Sequence, residues 1–324
     1  MNLYIFLDDV AYFSYMRAAA ADDNDVAFNP MIKSKLLRKI FSYHFAWSIN
    51  EHINLPFKSF WYKFFLRNFK YEKESYIILC ENHPMAYDKG LLTFIKRKYP
   101  TTKLIFYFMN PIDEYIYKKV ELIRCKYDLI LTFNEEDSIR YGYTLFTDFP
   151  VRYPNLKLDE TKPIYDLFFV GASKGRLSLL INIYDQFVSK GLTCLFYINK
   201  VKKEDIVNRD GIIYNQWIDY DDVLHYVANS RCVLELLQEG MHYVSIRTAE
   251  ALQYNKKLLT NNHGIVNQPF YSSSFVYILN DNEIIDTNFI SRPVDSKIFE
   301  KALYLTNYNN LKTYLHEKFK CDNK

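Results

Sequence analysis

Residues 166–189 read DLFFVGASKGRLSLLINIYDQFVS, and the fold class of the second half of the chain is predicted from these residues. Asp166–Val170 is a short, mostly apolar run of the kind found in parallel strands that are buried on both faces. Lys174–Ser189 has the apolar spacing of a helix, and Gly171 lies in the turn between the two elements. A strand, a glycine turn and a helix in this order predict the first unit of a parallel α/β sheet.

Strands and helices alternate in the same way on both sides of this stretch. The second half adds predicted strands Thr193–Ile198, Ile212–Asn215, Arg231–Leu236, Lys257–Thr260 and Phe275–Leu279, and helices Asp221–Ala228, Ser245–Gln253, Ser296–Leu305 and Leu311–Phe319. The first half contains predicted strands Leu3–Leu7, Tyr76–Cys80, Leu104–Phe108 and Leu129–Thr132, and helices Lys89–Lys98 and Glu114–Cys125. The predicted fold class is α/β, with two Rossmann-like, doubly wound parallel-sheet domains facing a cleft, where such sheets bind ligands.

The segment between the two halves predicts a linker. Thr147–Ile164 contains Pro150, Pro154 and Pro163 and has no sustained periodicity. A chain of 324 residues is long enough for two cores. We therefore expect an N-terminal domain over residues 1–150, a linker over 151–164, and a C-terminal domain with closing helices over 165–324.

Composition excludes two classes of protein. Hydrophobic residues make up 49% and charged residues 24% of the chain, as in globular rather than disordered proteins. No apolar run is long enough for a membrane-spanning helix. Met1–Val10 lacks a basic region, so no signal peptide is predicted.

The charge of the chain and its cysteines indicate which kinds of partner and which cellular compartment to expect. The net charge is +3, with 20 Lys/Arg against 18 Asp/Glu in residues 1–150 and 21 against 20 in residues 151–324, so neither half predicts a nucleic-acid partner. No C-x-x-C pair occurs, which indicates neither a zinc site nor a disulfide framework. A reducing, cytoplasmic compartment is expected. The five cysteines are scattered: Cys80, Cys125, Cys194, Cys232 and Cys321.

The turn at residues 171–176 is the first candidate binding site. The N–H groups of a first helical turn and its positive dipole end favour phosphate. Lys174 and Arg176 add positive charge, and arginine can bind phosphate with two donors. The alternative is an ordinary strand–turn–helix unit whose basic residues are solvated.

Residues 238–252, QEGMHYVSIRTAEAL, form the second candidate site. A loop with Gly240 precedes a helix that Ser245 can cap. Arg247 and Glu250 are three residues apart and therefore share one helical face. Such a pair suits a nucleotide, because arginine binds phosphate and a carboxylate accepts hydrogen bonds from ribose hydroxyls. The alternative is a surface ion pair on a capped helix.

Taken in order, these motifs resemble a known family. The succession strand-G-x-x-K-G-R, Q-E-G…R-x-x-E-A-L and K-K-L-L-T-N-N resembles bacterial two-domain glycosyltransferases of the GT-B fold. The nearest resemblance is to lipopolysaccharide or capsule biosynthesis proteins, with a more distant likeness to CgeB-type proteins. It covers most of the chain and is sharpest between residues 165 and 262.

The resemblance implies roles for individual residues. Glu250 matches the ribose-binding glutamate of the family, and Lys174 and Arg176 match the basic residues that bind the diphosphate. His242 stands eight positions before Glu250, where retaining enzymes have a glutamate, and the nearest upstream acid is Glu239. The stereochemical outcome of transfer, retaining or inverting, is therefore left open.

The loop before the helix Asp221–Ala228 has two interpretations. Asp219 and Asp221 have the D-x-D spacing that holds a divalent metal in transferases of the other fold, GT-A. Acidic residues are also favoured where a helix begins, and this interpretation is the stronger one. We expect no metal and no other cofactor. In GT-B enzymes this loop holds the nucleobase, so Trp217 and Ile218 resemble base-contacting residues.

The catalytic base is expected in the first domain. Asp8 and Asp9 follow the first strand, and Glu81 and His83 follow the next one. An inverting transfer needs a base near the acceptor hydroxyl, and Asp9 and His83 are the two leading candidates. The alternatives are a strand-end cap for Asp9 and a loop histidine for His83.

Residues Lys33–Tyr71 combine basic and aromatic side chains, and they have two interpretations. An amphipathic patch of this kind can rest on an anionic membrane and would suit a lipid-linked acceptor. The alternative is a set of buried helix faces flanked by lysines that extend to solvent.

We therefore predict a glycosyltransferase that moves a sugar from a UDP-, GDP- or dTDP-linked donor to a growing cell-surface glycan. The glycan would be lipopolysaccharide, capsule or exopolysaccharide, and the acceptor a glycan or a lipid-linked molecule at the cytoplasmic face of the membrane. The alternatives are a non-catalytic GT-B-like protein that binds nucleotide or glycan, and a nucleotide-sugar epimerase. The sequence leaves the sugar, the nucleobase, the acceptor and the linkage open.

Overall fold

Two parallel sheets of six strands each organise the chain in the computed structural model. The structure describes residues 1–9, 11–50, 52–53, 55–156, 165–238, 241–280 and 283–321. Two units have dense internal contacts: the first unit comprises residues 1–151 and 307–324, and the second comprises residues 152–306. Of the predicted linker, residues 157–164 lie outside the described residues.

The sheet of the first unit has the strand order β2-β1-β3-β4-β5-β6, and all its neighbouring strands are parallel. Every residue of β1 and β3 is buried, as the continuous apolar runs predict. Its strands are β1 (Asn2–Phe6), β2 (Val26–Phe28), β3 (Ser75–Cys80), β4 (Lys103–Phe108), β5 (Leu129–Thr132) and β6 (Thr144–Leu145). Its helices before residue 151 are α1 (Ala11–Ala18), α2 (Lys35–His44), α3 (Trp47–Asn50), α4 (Lys58–Phe65), α5 (Lys89–Lys98), α6 (Glu114–Glu121) and α7 (Glu135–Tyr141).

The sheet of the second unit has the order β12-β11-β10-β7-β8-β9 and is also parallel. Its strands are β7 (Tyr165–Ala172), β8 (Cys194–Asn199), β9 (Ile212–Tyr214), β10 (Ser230–Glu235), β11 (Lys257–Thr260) and β12 (Val276–Ile278). Its helices are α8 (Leu177–Val188), α9 (Tyr220–Ala228), α10 (Ile246–Gln253) and α11 (Lys297–Lys301). Each domain is therefore Rossmann-like, and the predicted α/β class is confirmed.

Helices cover both faces of the second sheet. Leu180 and Phe187 of α8 pack with Phe169 and Phe196 on one face. Val227 of α9 and Leu252 of α10 pack on the other face, with Phe168 and Val233. The turns at the carboxyl ends of β7 and β10 therefore lead to helices on opposite faces of one sheet, and both turns lie at its ligand-binding edge.

The last helix, α12 (Asn309–Cys321), belongs to the first unit. The hydroxyl of Tyr308 donates to the carbonyl of Met16 at 3.1 Å, and Lys312 pairs with Asp23 at 2.5 Å. Assigning the closing helix Leu311–Phe319 to the second domain was wrong, because helical periodicity shows that a face is apolar but not which sheet will bury it. The other predicted closing helix, Ser296–Leu305, forms α11 and a 3-10 helix at Leu303–Thr306 in the second unit.

Among the helices of the described residues, none is both long and apolar enough to cross a membrane.

Candidate active site

Helix α10 is anchored to the second sheet by a buried carboxylate. Glu235, the last residue of β10, is 2% exposed. Thr248 and Thr260 donate hydroxyl hydrogen bonds to it at 2.7 and 2.6 Å, and Ser245 donates a third. Burial raises the pKa of Glu235, although the three hydrogen bonds oppose the shift. Glu235 thus holds the start of α10 against β10 and β11.

Ser245 caps α10, as the sequence predicts. Its Oγ accepts hydrogen bonds from the backbone N–H groups of Arg247 and Thr248 at 3.0 and 3.4 Å. Sequence reasoning missed the partner, Glu235, because no local motif marks it. The available signal was an acidic residue that closes an otherwise apolar strand.

Arg247 and Glu250 form an ion pair, as in the alternative interpretation of their spacing, but the pair is not on the surface. Glu250 has no exposed side-chain surface. The hydroxyl of Tyr220 donates to Oε1 of Glu250 at 2.5 Å, and Arg247 pairs with Oε2. Burial raises the pKa of Glu250, and the positive charge of Arg247 opposes that rise. Both carboxylate oxygens that were predicted to meet a ribose are therefore engaged by protein groups.

The turn after β7 is tied to the segment after β10. The guanidinium of Arg176 donates to the carbonyls of Ala172 at 3.0 Å, Ser173 at 3.2 Å and Leu236. Nζ of Lys174 donates to the side-chain oxygen of Gln238 at 3.2 Å. The structure therefore brings both predicted diphosphate-binding residues to the carboxyl end of β10, where α10 is anchored.

Lys200, which follows β8, joins Lys174 and Arg176 in a group that we call the cation cluster. Burial lowers the pKa of Lys174, and the nearby charges of Arg176 and Lys200 lower it further. Within the described part of the chain, none of the three has a carboxylate within 4.0 Å. Lys174 and Lys200 both have a left-handed backbone, with φ of 44° and 59°, which is uncommon for residues with a side chain.

Glycines shape the predicted phosphate turn. Gly175 has a φ of 80°, which favours glycine. A Cβ at Gly171 would lie 3.1 Å from the ring of Phe169, so a larger residue would press on the core. The turn borders a cavity of about 870 Å³, which Ser173, Gly175 and Lys200 help to line. Gly240, the other glycine predicted for donor binding, lies outside the described residues, as does Glu239.

The predicted base-contacting loop leads into α9. Trp217 is 84% exposed, and Ile218 packs partly against the core of the second unit. Asp219 and Asp221 lie at the start of α9, where acids are favoured. The described residues contain no group of three His, Cys, Asp or Glu side chains that could hold a metal ion. The loop is joined to the predicted ribose residue through Tyr220, which contacts Glu250.

A cavity of about 300 Å³ in the first unit contains both leading candidates for the base. Asp9 lies on it and forms an ion pair with Arg38 at 3.5 Å, and its side chain is 32% exposed. His83 also lines it and is buried. The cavity lies at the carboxyl ends of β1 and β3, the edge at which such sheets bind ligands.

The environments of the candidates differ in acid–base chemistry. Burial, with a smaller effect of the positive Arg17, lowers the pKa of His83 to about 3. A general base works best with a pKa near the operating pH, so His83 is a poor base at neutral pH. Glu81 accepts hydrogen bonds from the backbone N–H groups of Met109 and Asn110 at 2.9 and 3.0 Å and thereby secures a loop. Asp8 and Asp9 both lie on the cavity, but Asp9 is the more exposed of the two, and Asp8 accepts a hydrogen bond from the backbone N–H of Asp9 at 2.8 Å.

Comparisons with known proteins give a likeness in structure but none in sequence family. Neither a known protein family nor a curated protein matches the sequence. Among solved structures, the chain is similar to an alpha-glucosyltransferase in complex with UDP and a 13-mer DNA, with 12% identity and a TM-score of 0.53 over 96% of this chain and 92% of that one. TarM gives 12% identity and a TM-score of 0.48 over 77% of this chain and 55% of its own. A Listeria monocytogenes protein assigned as a UDP-N-acetylglucosamine 2-epimerase gives 11% identity and a TM-score of 0.47 over 95% and 92%. The chain thus has two Rossmann-like domains, as in the GT-B fold.

Proposed function

We propose that the protein transfers a sugar from a UDP-, GDP- or dTDP-linked donor to a carbohydrate acceptor. The cation cluster is the observation that carries this proposal. Lys174, Arg176 and Lys200 repel one another at the carboxyl edge of the second sheet, without a carboxylate among the described residues to neutralise them. A bound diphosphate would remove this repulsion, and the start of α8 adds N–H groups that favour phosphate. The same edge is where doubly wound sheets bind nucleotides.

The predicted donor-site residues receive the following roles in this proposal. Ser245 and Arg247 present the start of α10 to the second phosphate, and Trp217 and Ile218 contact the nucleobase. Glu250 keeps Arg247 in place, and its direct contact with ribose requires Tyr220 or Arg247 to leave the carboxylate. Gly171 lies near the end of β7, beside the ring of Phe169 and just before the diphosphate turn, and the predicted role of Gly240 falls outside the described residues.

The chemistry follows from these charges. Negative charge develops on the leaving nucleoside diphosphate, and preorganised cations and helix N-termini stabilise it. We assign the base role to Asp9, since an inverting transfer needs an accessible group that can take the proton of the acceptor hydroxyl. His83 is left out of proton transfer because its imidazole is buried and resists protonation.

Titration calorimetry with UDP, GDP and dTDP tests the donor site. We expect one of the three to bind, and Lys200→Gln to weaken it about tenfold, the effect of losing one hydrogen bond to a charged group. Lys190→Gln is the matched control, because Lys190 is exposed at the end of α8 in the same unit. Equal affinity of Lys200→Gln and the unmodified protein would remove the cation cluster from the site.

We also propose that the acceptor is part of a cell-surface glycan, such as lipopolysaccharide or capsule, and is carried on a lipid at the cytoplasmic face of the membrane. The segment Lys33–Tyr71 supports this, because it divides into two sets of residues. Phe41, Phe45, Trp61 and Phe65 are buried in the core of the first unit. A second set, which we call the basic-apolar surface, is exposed: Lys35, Leu36, Lys39, Tyr43, Phe57, Phe60 and Lys63.

Flotation with liposomes tests the basic-apolar surface. Exposed lysines beside exposed apolar side chains attract anionic lipid, and this attraction weakens with salt. We expect binding to phosphatidylglycerol vesicles at low salt and its loss when Lys35→Glu and Lys39→Glu are combined. The combined reversals Lys190→Glu and Lys203→Glu, at two exposed lysines of the second unit, are the control for net charge. The absence of flotation at low salt would refute the membrane proposal and leave the donor site untouched.

A further inference from the structure

The cavity of about 300 Å³ in the first unit is lined by a residue with a buried, unsatisfied polar atom. His83 is 2% exposed, and no group of the described residues forms a hydrogen bond with its Nδ1. The rings of Phe6, Phe41 and Phe65 lie with centroids 5.3, 5.9 and 5.3 Å from the imidazole. Buried polar groups in native proteins are rarely left without a partner, so an unsatisfied one in a residue that lines a cavity points to a ligand or water atom as its partner.

The neighbouring Asn29 determines which nitrogen of His83 carries the proton. Oδ1 of Asn29 accepts from the backbone N–H of Leu7 at 2.8 Å, and Nδ2 donates to the carbonyl of Leu7 at 3.1 Å, so the orientation of the amide is assigned by the backbone. Nδ2 of Asn29 lies 3.5 Å from Nε2 of His83. Because Nδ2 can only donate, Nε2 must be the acceptor, and the neutral ring carries its proton on Nδ1. The unsatisfied atom is therefore a hydrogen-bond donor.

The charges around the cavity give an anionic ligand no excess of positive charge. Asp8 and Asp9 both line it, and Arg38 is the one Lys or Arg among the described lining residues, already paired with Asp9. Arg17 lies behind the wall, where it donates to the carbonyl of Asn29 at 3.1 Å. The two carboxylates are thus matched by two guanidiniums that already have partners, and neither guanidinium is left to hold a phosphate or carboxylate group. A neutral ligand with hydroxyl groups can instead donate to the carboxylates.

The size and the walls of the cavity narrow the ligand further. Its volume is at the small end of ligand sites, which leaves room for one ring rather than a chain of rings. Phe41 and Phe65 line it, and an aromatic face attracts the positive edge of C–H groups. A sugar ring combines hydroxyl groups that donate and accept with C–H faces of this kind.

We propose that this cavity binds one neutral sugar ring, one oxygen of which accepts a hydrogen bond from Nδ1–H of His83. The proposal deepens the function proposed above and rests on it in one respect, that the ring belongs to the acceptor. His83 is then a binding residue of the acceptor site, and Asp9 lies on the same cavity to meet a hydroxyl of the bound ring.

Nuclear magnetic resonance of the full chain labelled with ¹⁵N-histidine tests the first step. Long-range ¹H–¹⁵N spectra distinguish the two neutral tautomers, and we expect the Nδ1–H form for His83. Titration with the methyl glycosides of glucose, galactose, mannose and N-acetylglucosamine should shift Nδ1 of His83 saturably with at least one of them. An Nε2–H tautomer, or no shift with any glycoside, overturns the proposal.

Variants then test the specificity of binding by saturation-transfer spectra of the glycoside. His83→Phe should fit the surrounding aromatic rings and weaken binding about tenfold through loss of the donor. His52→Gln, at an exposed histidine of the same unit, should bind like the unmodified protein. Glucose 6-phosphate should bind more weakly than methyl glucoside, and equal or tighter binding overturns the proposal. If His83→Phe does not fold, the glycoside-induced shift of Nδ1 of His83 in the unmodified protein tests the proposal instead.

Nucleotide binding measured on the same sample separates this proposal from the proposed function. Binding of a nucleoside diphosphate without a glycoside response refutes the sugar cavity and leaves the donor site standing. A glycoside response without nucleotide binding supports the cavity and refutes the transferase. In the transfer assay, His83→Phe should raise the KM for the acceptor and leave kcat within about twofold, whereas loss of a base lowers kcat by about 10²–10⁴-fold.

Discussion

Replacing His83 by phenylalanine should make the first unit less sensitive to acid. Burial and the charge of Arg17 lower the pKa of His83 to about 3 in the folded protein, whereas an unfolded histidine has a pKa of about 6.5. Below about pH 6.5 the unfolded chain therefore binds a proton that the folded chain does not bind. The free energy of unfolding consequently falls as the pH falls towards 3. Because pH 4.5 lies about two pH units below the pKa of the unfolded histidine, the free energy of unfolding at this pH is lower by about 3 kcal/mol.

Urea unfolding at about pH 7.5 and about pH 4.5 measures this loss. Trp217→Phe provides a background in which Trp47 and Trp61, both in the first unit, are the remaining tryptophans. In that background we expect the loss between the two pH values to be about 3 kcal/mol smaller with His83→Phe. Buried carboxylates whose pKa is raised, such as Glu81, contribute equally to both proteins and cancel.

His52→Gln is the control for this experiment, because it removes an exposed histidine and should leave the pH dependence unchanged. An equal loss of stability with and without His83→Phe would show that the imidazole takes up a proton freely in the folded state. That result would refute both the buried, neutral state of His83 and the reason for excluding it as the base.

Three further predictions concern the second unit and its chemistry. Glu250→Gln should destabilise the protein by about 3 kcal/mol in urea unfolding, because Arg247, with only 14% of its side chain exposed, then loses its counter-charge; unchanged stability would mean that the pair is not a structural one. Trp217→Ala should weaken nucleotide binding by calorimetry without lowering the melting temperature, since the ring is largely exposed; unchanged affinity would remove Trp217 from the base site. Turnover should survive EDTA, because side chains and helix N-termini stabilise the leaving group; loss of turnover that manganese restores would favour a metal held by Asp219 and Asp221.

The predicted strands with long apolar runs were found because burial on both faces leaves a strong local signal. β3 and β4 were predicted nearly to their ends. β2 and β6, with three and two residues, were missed, whereas β9 and β12, also of three residues each, were predicted within slightly longer runs. The sequence also could not predict which unit α12 packs against, because this depends on contacts between residues far apart in the chain, such as Tyr308 and Met16.

The candidate site shows the same division between local and distant signals. Ser245, Arg247 and Glu250 share one helix, so spacing alone placed them together. The burial of Glu250 was not predictable, because it depends on Tyr220 from another helix. The low pKa of His83 likewise depends on its burial among rings from β1, α2 and α4, which no spacing rule connects.

Incubation with UDP-, GDP- and dTDP-linked sugars, followed by measurement of the released nucleoside diphosphate, tests whether the protein transfers sugar from a nucleotide donor. We predict release from at least one donor, faster when an acceptor is present and at least about tenfold slower at limiting donor with Lys200→Gln. Product analysis should find the sugar on the acceptor or on water rather than an epimerised nucleotide sugar. Binding of the nucleotide without any release from its sugar donors would contradict the claim and identify a protein that binds nucleotides without transferring sugar.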